Sequence, residues 1–184
     1  MKQMNPIGHS AIFFDRDGVI NKLVPRSDGR CTSPWSLSEF MLLPRVREAV
    51  ALVAPHYDCF VITNQPHVGH ETTTHKLAQI HQYLQHEVPG IVEISYCSDQ
   101  GSSHYKPGHG MVIDLLNKYQ LTTAPRHHYM IGDRWKDVVC GYRSGLTTIY
   151  VGDKYECGEY ANISPDYIVP DIYAACELII EQTS

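Results

Sequence analysis

Nowhere in this chain do apolar residues run on for the roughly 18 positions that a membrane-spanning helix requires, so no such helix is expected. A C-x-x-C pair is also missing. The six cysteines, at positions 31, 59, 97, 140, 157 and 176, are scattered, and several fall inside apolar runs. That distribution suits reduced, buried thiols in a cytoplasmic protein and argues against a disulfide framework. The eleven histidines include no H-E-x-x-H sequence, so most of them read as surface or cap residues. Positive charge is scarce as well: a formal net charge of −5 speaks against a basic membrane-surface patch and against nonspecific nucleic-acid binding. It leaves room for a local positive pocket. Residues 1–10 hold one lysine and no long apolar core, so no signal peptide is expected there. Internal repeats and low-complexity segments are absent.

What is present is the composition of an ordinary globular protein, 43% hydrophobic and 19% charged over 184 residues, enough for one domain with a full core. Short apolar runs at 11–14, 59–63, 92–96, 128–131 and 147–151 read as strands, with 166–169 a further candidate. Between them lie helical stripes. Val46, Ala49, Val50 and Val53 recur over 44–54, with Pro44 read as a first-turn residue. Leu77, Ile80 and Leu84 recur over 73–86 behind a Thr-rich start that can cap the helix. Met111, Leu115, Leu116 and Tyr119 mark 109–119, and Ile172, Cys176 and Ile179 mark 172–182. Alternating β and α elements imply an α/β fold with a mostly parallel sheet and helices on both faces. Ligands in such sheets bind at the carboxyl ends of the strands. The chain therefore reads as a single domain, 1–184, in which residues 22–43, aperiodic and carrying Pro25, Gly29 and Pro34, form a flap or loop.

The strand ends carry the chemistry. After Phe13-Phe14 come Asp15-Arg16-Asp17-Gly18, two carboxylates one residue apart. Side chains alternate along a strand, so Asp15 and Asp17 are expected to point one way and Arg16 elsewhere. Like charges this close repel unless a cation sits between them or one is protonated. A divalent metal beside a phosphoryl-transfer nucleophile fits; so does a strand that merely ends in a polar turn. The run 59–62 ends in Thr63-Asn64-Gln65, either a helix cap or a set of donors for an anionic oxygen. Lys106 precedes Pro107-Gly108 and a helical stripe, either a solvated lysine or one held beside a helix N-terminus where anions are favoured. Met130-Ile131-Gly132-Asp133 supplies another strand-end carboxylate, with Asp137 one helical turn on, able to support a metal or orient a lysine. Gly152-Asp153 competes for that role, but Cys157 stands where the second carboxylate would be, and Gly132-Asp133 is preferred.

Carboxylate pair, Thr, Lys and Gly-Asp with a further Asp, in that order on a β/α chain, resemble the haloacid dehalogenase-like phosphohydrolase superfamily. The wording Phe14-Asp15-Arg16-Asp17-Gly18-Val19-Ile20-Asn21, Thr63-Asn64-Gln65, Lys106-Pro107 and Gly132-Asp133-x-x-x-Asp137 is similar to its capless branch of histidinol-phosphate and heptose-bisphosphate phosphatases. The resemblance covers about residues 11–152. It implies a Rossmann-like three-layer sandwich without a large cap, and a phosphatase in which Asp15 is the nucleophile and Asp17 the general acid and base. It also implies Mg²⁺ on the Asp15 carboxylate, the Asp17 backbone carbonyl and the Asp133 carboxylate, with Asp137 behind them. Thr63, Asn64 and Lys106 would bind the phosphoryl oxygens. Arg16, Gln65 and Tyr105 are candidates for substrate contact.

The match departs from its relatives in the loop before Lys106. Close relatives often carry a zinc site there, with C-x-H and a later C-x-C. Here Cys97 and His104 are the two ligands that remain, Asp99 stands where a histidine would be, and no C-x-C follows. Structural zinc needs about four N or S ligands, so zinc is not expected. Tyr105 replaces a common arginine and Pro66 a common serine, which counts against simple transfer of a bisphosphate substrate. The expected activity is therefore Mg²⁺-dependent hydrolysis of a small phosphorylated metabolite: a sugar, heptose or polyol phosphate, or histidinol phosphate. A nucleic-acid 3′-phosphatase is the alternative enzyme. Trp35, Tyr105 and Trp135 would suit it, but no Lys/Arg cluster accompanies them. A non-catalytic phospholigand-binding protein would require damage to the reactive set, and Asp15, Asp17, Lys106 and Asp133 are all present.

Overall fold

The computed structural model describes residues 10–121, 128–158 and 162–183; residues 1–9, with most of the segment considered for a signal peptide, lie outside them. In chain order the elements are β1 (Ser10–Phe14), β2 (Val24–Pro25), β3 (Cys31–Thr32), α1 (Val46–Val53), β4 (Tyr57–Asn64) and α2 (Thr74–Glu87). They continue with β5 (Ile91–Cys97), α3 (Gly110–Lys118), β6 (Tyr129–Gly132), α4 (Trp135–Arg143), β7 (Thr147–Val151), β8 (Tyr167–Val169) and α5 (Ile172–Thr183). Six strands form one parallel sheet in the order β5-β4-β1-β6-β7-β8. Each strand-like run read from the sequence lies within one of these six strands or overruns it by a single residue, and the four helical stripes become α1, α2, α3 and α5.

The sheet is covered on both faces, as β1, apolar at every step from Ala11 to Phe14, requires. Ile12 and Phe14 face one layer, where they join Val50 and Val53 of α1 and Ile172 and Cys176 of α5. Ala11 and Phe13 face the other, where they meet Met111, Val112 and Leu115 of α3 and Cys140 of α4. Phe13 stacks on Phe60 of β4 with ring centroids 5.4 Å apart. The register then assembles the site. Phe14 lies between Val61 of β4 and Ile131 of β6, and Asp15 N–H still donates to Ile131 C=O at 2.8 Å. All three strands run the same way, so the residues just beyond them emerge side by side.

Three local details differ from the sequence reading. Pro44 does not open α1; Arg45 caps it from the left-handed region (φ 61°), with its guanidinium over the Tyr173 ring of α5, and the helix begins at Val46. Helix α4, which the sequence reading did not name, packs across β6 and β7 with Val138, Val139, Cys140 and Gly141 all buried. Gly141 is pressed against the Met130 and Thr148 side chains, where a Cβ would not fit without movement. Residues 22–43 contain the antiparallel pair β2–β3 and a 3-10 turn at Leu37–Glu39. Arg26 ties this segment together, reaching Thr32 Oγ1 at 2.7 Å, both Glu39 oxygens at 2.7 and 2.9 Å, and the Trp35 ring face at 3.5 Å. Among the described residues no helix is long and apolar enough to cross a membrane.

Candidate active site

Lys106 is the centre of the strand-end cluster. Only 2% of its surface is exposed, and its ammonium donates to Asp15 Oδ1 at 2.5 Å and Ile62 C=O at 2.9 Å, with Asp137 Oδ1 2.7 Å away. An ammonium has three protons, and all three have partners. The backbone of Lys106 is held as firmly. Asn64, at the end of β4, donates through Nδ2 to Lys106 C=O and accepts from Lys106 N–H at Oδ1, both at 2.9 Å. Asp137 sits in the first turn of α4, where its Oδ2 accepts from Arg134 N–H at 3.1 Å. Gly132 is required beside it: a Cβ there would collide with the Asp137 side chain.

Asp17 is clamped separately. Arg16 Nε and Nη2 donate to its Oδ1 at 3.2 and 3.0 Å, Asn21 Nδ2 donates to the same oxygen at 3.0 Å, and Gln65 Nε2 donates to Oδ2 at 2.6 Å. Thr63 Oγ1 donates to Oδ2 at 3.3 Å and accepts from Gln65 Nε2 at 2.8 Å. Burial would raise the Asp17 carboxyl, but the Arg16 guanidinium and the amide donors outweigh it and hold the group below its ordinary value. Arg16 does not project away from Asp17 as strand alternation predicts. Strand β1 ends at Phe14, and Arg16 is fully buried with its fork turned onto its neighbour. It therefore lies behind Asp17 and outside the lining of the cleft, as does Gln65.

The carboxylates outnumber the cation. Asp15, Asp133 and Asp137 each offer an oxygen within 4.8 Å of the others. Burial, with Asp137 and Asp17 adding to it and Lys106 opposing it, pushes Asp15 up to about 7. Burial and the nearby Asp15 and Asp137 push Asp133 up to about 8. Burial would lower Lys106, but Asp137 and Asp15 raise it, so it stays charged. Asp133 Oδ1 is buried and has no hydrogen-bond partner among the described residues. Gly18 (φ 101°) lies against this carboxylate so closely that a Cβ could not fit. An all-oxygen set with an orphaned buried oxygen fits a hard divalent cation such as Mg²⁺. Asp137 has both oxygens engaged, so Asp15 and Asp133 are the ligands best able to turn to it.

The cleft above this cluster is lined by Asp15, Asp17, Thr63, Asn64, Tyr105, Lys106 and Asp137 from the sequence-derived set. It also takes in Leu23, Cys31, Thr32 and Ser33 from the 22–43 segment, and Arg134 and Lys136 beyond β6. The two cations were missed by sequence reasoning, although Arg134 directly follows Asp133. Lys136 Nζ stands 5.5 Å from the Tyr105 ring centroid and 5.6 Å from that of Trp135. In the loop before Lys106, Cys97 Sγ donates to Asp99 C=O at 3.4 Å, while His104 Nε2 lies 2.9 Å from Asp114 Oδ2.

Comparison with known proteins gives the same neighbourhood from several directions. Residues 104–175 match the family model described as HAD-hydrolase-like. D-glycero-D-manno-heptose-1,7-bisphosphate 7-phosphatase of Chlorobaculum tepidum is 29% identical, covering 89% of this chain and 90% of its own length. The enzyme of the same name from Thermosynechococcus vestitus is 26% identical, covering 92% and 94%. Among solved structures, D,D-heptose 1,7-bisphosphate phosphatase from B. bronchiseptica, complexed with magnesium and phosphate, superposes with a TM-score of 0.76 at 23% identity, covering 94% of this chain and 99% of that one.

The crowding of carboxylates has a measurable consequence. The folded protein keeps protons on Asp15 and Asp133 to higher pH than the unfolded chain does. Metal-free protein should therefore lose stability as pH climbs from the ordinary carboxylate value of 3.8 through about 7 and about 8. Asp133→Asn removes one of the competing charges. After EDTA treatment at pH 8 it should melt about 2–4 °C higher than wild type, the shift expected from roughly 1 kcal/mol in a domain of this size. A lower melting temperature than wild type under those conditions would contradict this electrostatic account.

Proposed function

We propose that this chain, which belongs to the haloacid dehalogenase-like hydrolases, is a Mg²⁺-dependent phosphomonoesterase acting on a small phosphorylated sugar or polyol. The observation that carries the proposal is the 2.5 Å contact between buried Lys106 and Asp15, in the cleft that Asp17, Thr63 and Asn64 also line. A carboxylate cannot approach a phosphate dianion unless positive charge is already there, and Lys106 supplies some of it. The Asp15 and Asp133 carboxylates and the Asp17 backbone carbonyl are the groups that would hold Mg²⁺. When bound, the ion contributes charge stabilisation to the phosphoryl oxygens.

On this reading an Asp15 carboxylate oxygen attacks phosphorus as the bond to the leaving oxygen breaks, leaving an aspartyl-phosphate. Asp17, held ionised by Arg16 and the amide donors, takes up a proton as the phosphate dianion comes to lie beside it and gives that proton to the departing alkoxide. It then takes a proton from the water that attacks the same phosphorus, which releases inorganic phosphate and restores the Asp15 carboxylate. Lys106 and the Thr63 hydroxyl face the transferring oxygens. Asn64 acts through Lys106, whose backbone it grips on both sides. Residues 22–43 are the wall of the site in a single-domain enzyme without a large cap. Arg134, Lys136 and the Ser33 hydroxyl in the cleft lining support an anionic, hydroxyl-bearing substrate. Two cations inside a cleft, not a stripe along it, favour a small molecule over a nucleic-acid strand. The heptose bisphosphatases among the relatives support the sugar-phosphate class.

Asp15→Asn should fold and lose turnover completely. Asp17→Asn should lose about 10²–10⁴-fold on alkyl phosphates and far less on activated aryl phosphates, whose leaving group needs no proton. Steady-state assays on both ester classes decide it, and wild-type turnover by Asp15→Asn would rule out the covalent route. EDTA should stop hydrolysis of a sugar-phosphate panel and Mg²⁺ restore it, with Ca²⁺ a poor replacement because it takes longer bonds and more ligands. Undiminished activity in a preparation shown to be metal-free would refute the metal assignment.

A further inference from the structure

Arg16 uses its guanidinium in two directions. The Nε and Nη2 edge faces Asp17, and the remaining nitrogen, Nη1, lies 3.0 Å from His81 Nε2 on α2. A guanidinium only donates, so His81 must accept at Nε2 and carry its proton on Nδ1. Burial and the adjacent guanidinium push the imidazole down to about 3, which keeps the ring a neutral acceptor. On its other side the ring meets Tyr96 of β5 edge-on, centroids 5.9 Å apart. His81 lies one position past Ile80 of the helix's core stripe, so its backbone is fixed by the packing of Leu77, Ile80 and Leu84.

We propose that His81 is a positioning residue for proton transfer: by accepting from Arg16 Nη1 it fixes the guanidinium, which in turn aims the Asp17 carboxyl at the leaving oxygen. The inference rests on the reading of Asp17 as the acid and base. Asp17 lies beyond the end of β1, on a turn whose next residue is glycine, so the backbone alone does not define its carboxyl to the fraction of an ångström that proton transfer requires. A planar fork pinned at all three nitrogens, acting with the Asn21 and Gln65 amides and the Thr63 hydroxyl, does. The chain thus runs from the core face of α2 through one imidazole and one guanidinium to the reacting group.

The test separates acceptor geometry from bulk. Gln carries its oxygen about where His81 has Nε2, Asn stops one bond short, and Leu has no acceptor. His81→Leu and His81→Asn should lower kcat on alkyl phosphates by about tenfold or more, part of the usual general-acid contribution. On activated aryl phosphates they should lose less than about threefold, with KM unchanged. His81→Gln should stay within about threefold of wild type on both. Should the leucine variant fail to fold, the contrast between glutamine and asparagine makes the same distinction. Equal losses on the two ester classes, or asparagine matching glutamine, would overturn the proposal. Nitrogen NMR of histidine-labelled protein reads the contact without turnover: an Nδ1-protonated neutral ring at His81 supports it, and an Nε2-protonated or cationic ring at neutral pH refutes it. Absence of phosphatase activity in the wild type would bring down the enzymatic reading and this inference together, whereas equal losses remove the inference alone.

Discussion

A single buried ammonium surrounded by carboxylates is the constraint on which the rest of the site depends. Taking Lys106 out of water is costly unless every proton finds a partner and opposing charge is close. The fold meets that need with Asp15 just past β1, Ile62 C=O from β4 and Asp137 from α4. Those three contacts tie the lysine loop to the sheet and to the helix beyond β6, so the site and the tertiary structure are stabilised by the same bonds. The solution is electrostatically incomplete. Asp133 is left near Asp15 and Asp137 with one oxygen unpartnered among the described residues, a surplus of negative charge that a divalent cation would balance. On the proposed reading, that imbalance favours metal binding, and the cation together with Lys106 would then offset the charge of an incoming phosphate.

The parallel sheet was legible because its strands are short apolar runs separated by helical stripes, and the cluster was legible because its residues sit at or just past the ends of those runs. Asp15, Thr63, Lys106 and Asp133 are all strand-end or loop-hinge positions in sequence, and parallel register gathers β1, β4 and β6 side by side. What was not legible depends on side chains folding back. Alternation placed Arg16 on the far side from Asp17, but the rule ends with the strand at Phe14, and the guanidinium turns onto its neighbour's carboxylate. Asn64 looked like a phosphate ligand because nothing in the local sequence reveals that Lys106, 42 positions on, presents its backbone to it. Helix α4 was not read as a stripe because its apolar residues include one short run, Val138-Val139-Cys140, in a nine-residue helix. Arg134 and Lys136 belong to no motif in the sequence, and it is the turn after β6 that brings them into the cleft.

The 22–43 segment shows how an aperiodic stretch can still be well defined. Its order comes from one arginine, Arg26, which fills its fork with Glu39, adds Thr32 and lies on Trp35, while Thr72 Oγ1 donates to Trp35 C=O at 2.6 Å from the far side of the cleft. Polar hubs of this kind have no hydrophobic period for a sequence reading to detect. The consequence is a wall that offers Leu23, Thr32 and Ser33 to the cleft from a braced loop, an arrangement suited to recognising a small substrate without a cap domain.

The proposed chemistry turns on Asp15 becoming covalently phosphorylated. The most direct measurement is acid quenching during turnover of a phosphate ester radiolabelled at phosphorus, followed by peptide mapping of the protein. Label held on the peptide containing Asp15, released by hydroxylamine as an acyl phosphate should be, and absent from Asp15→Asn, is the expected result. Full turnover with no label on the protein at any quench time, or label mapping to a different residue, would contradict it.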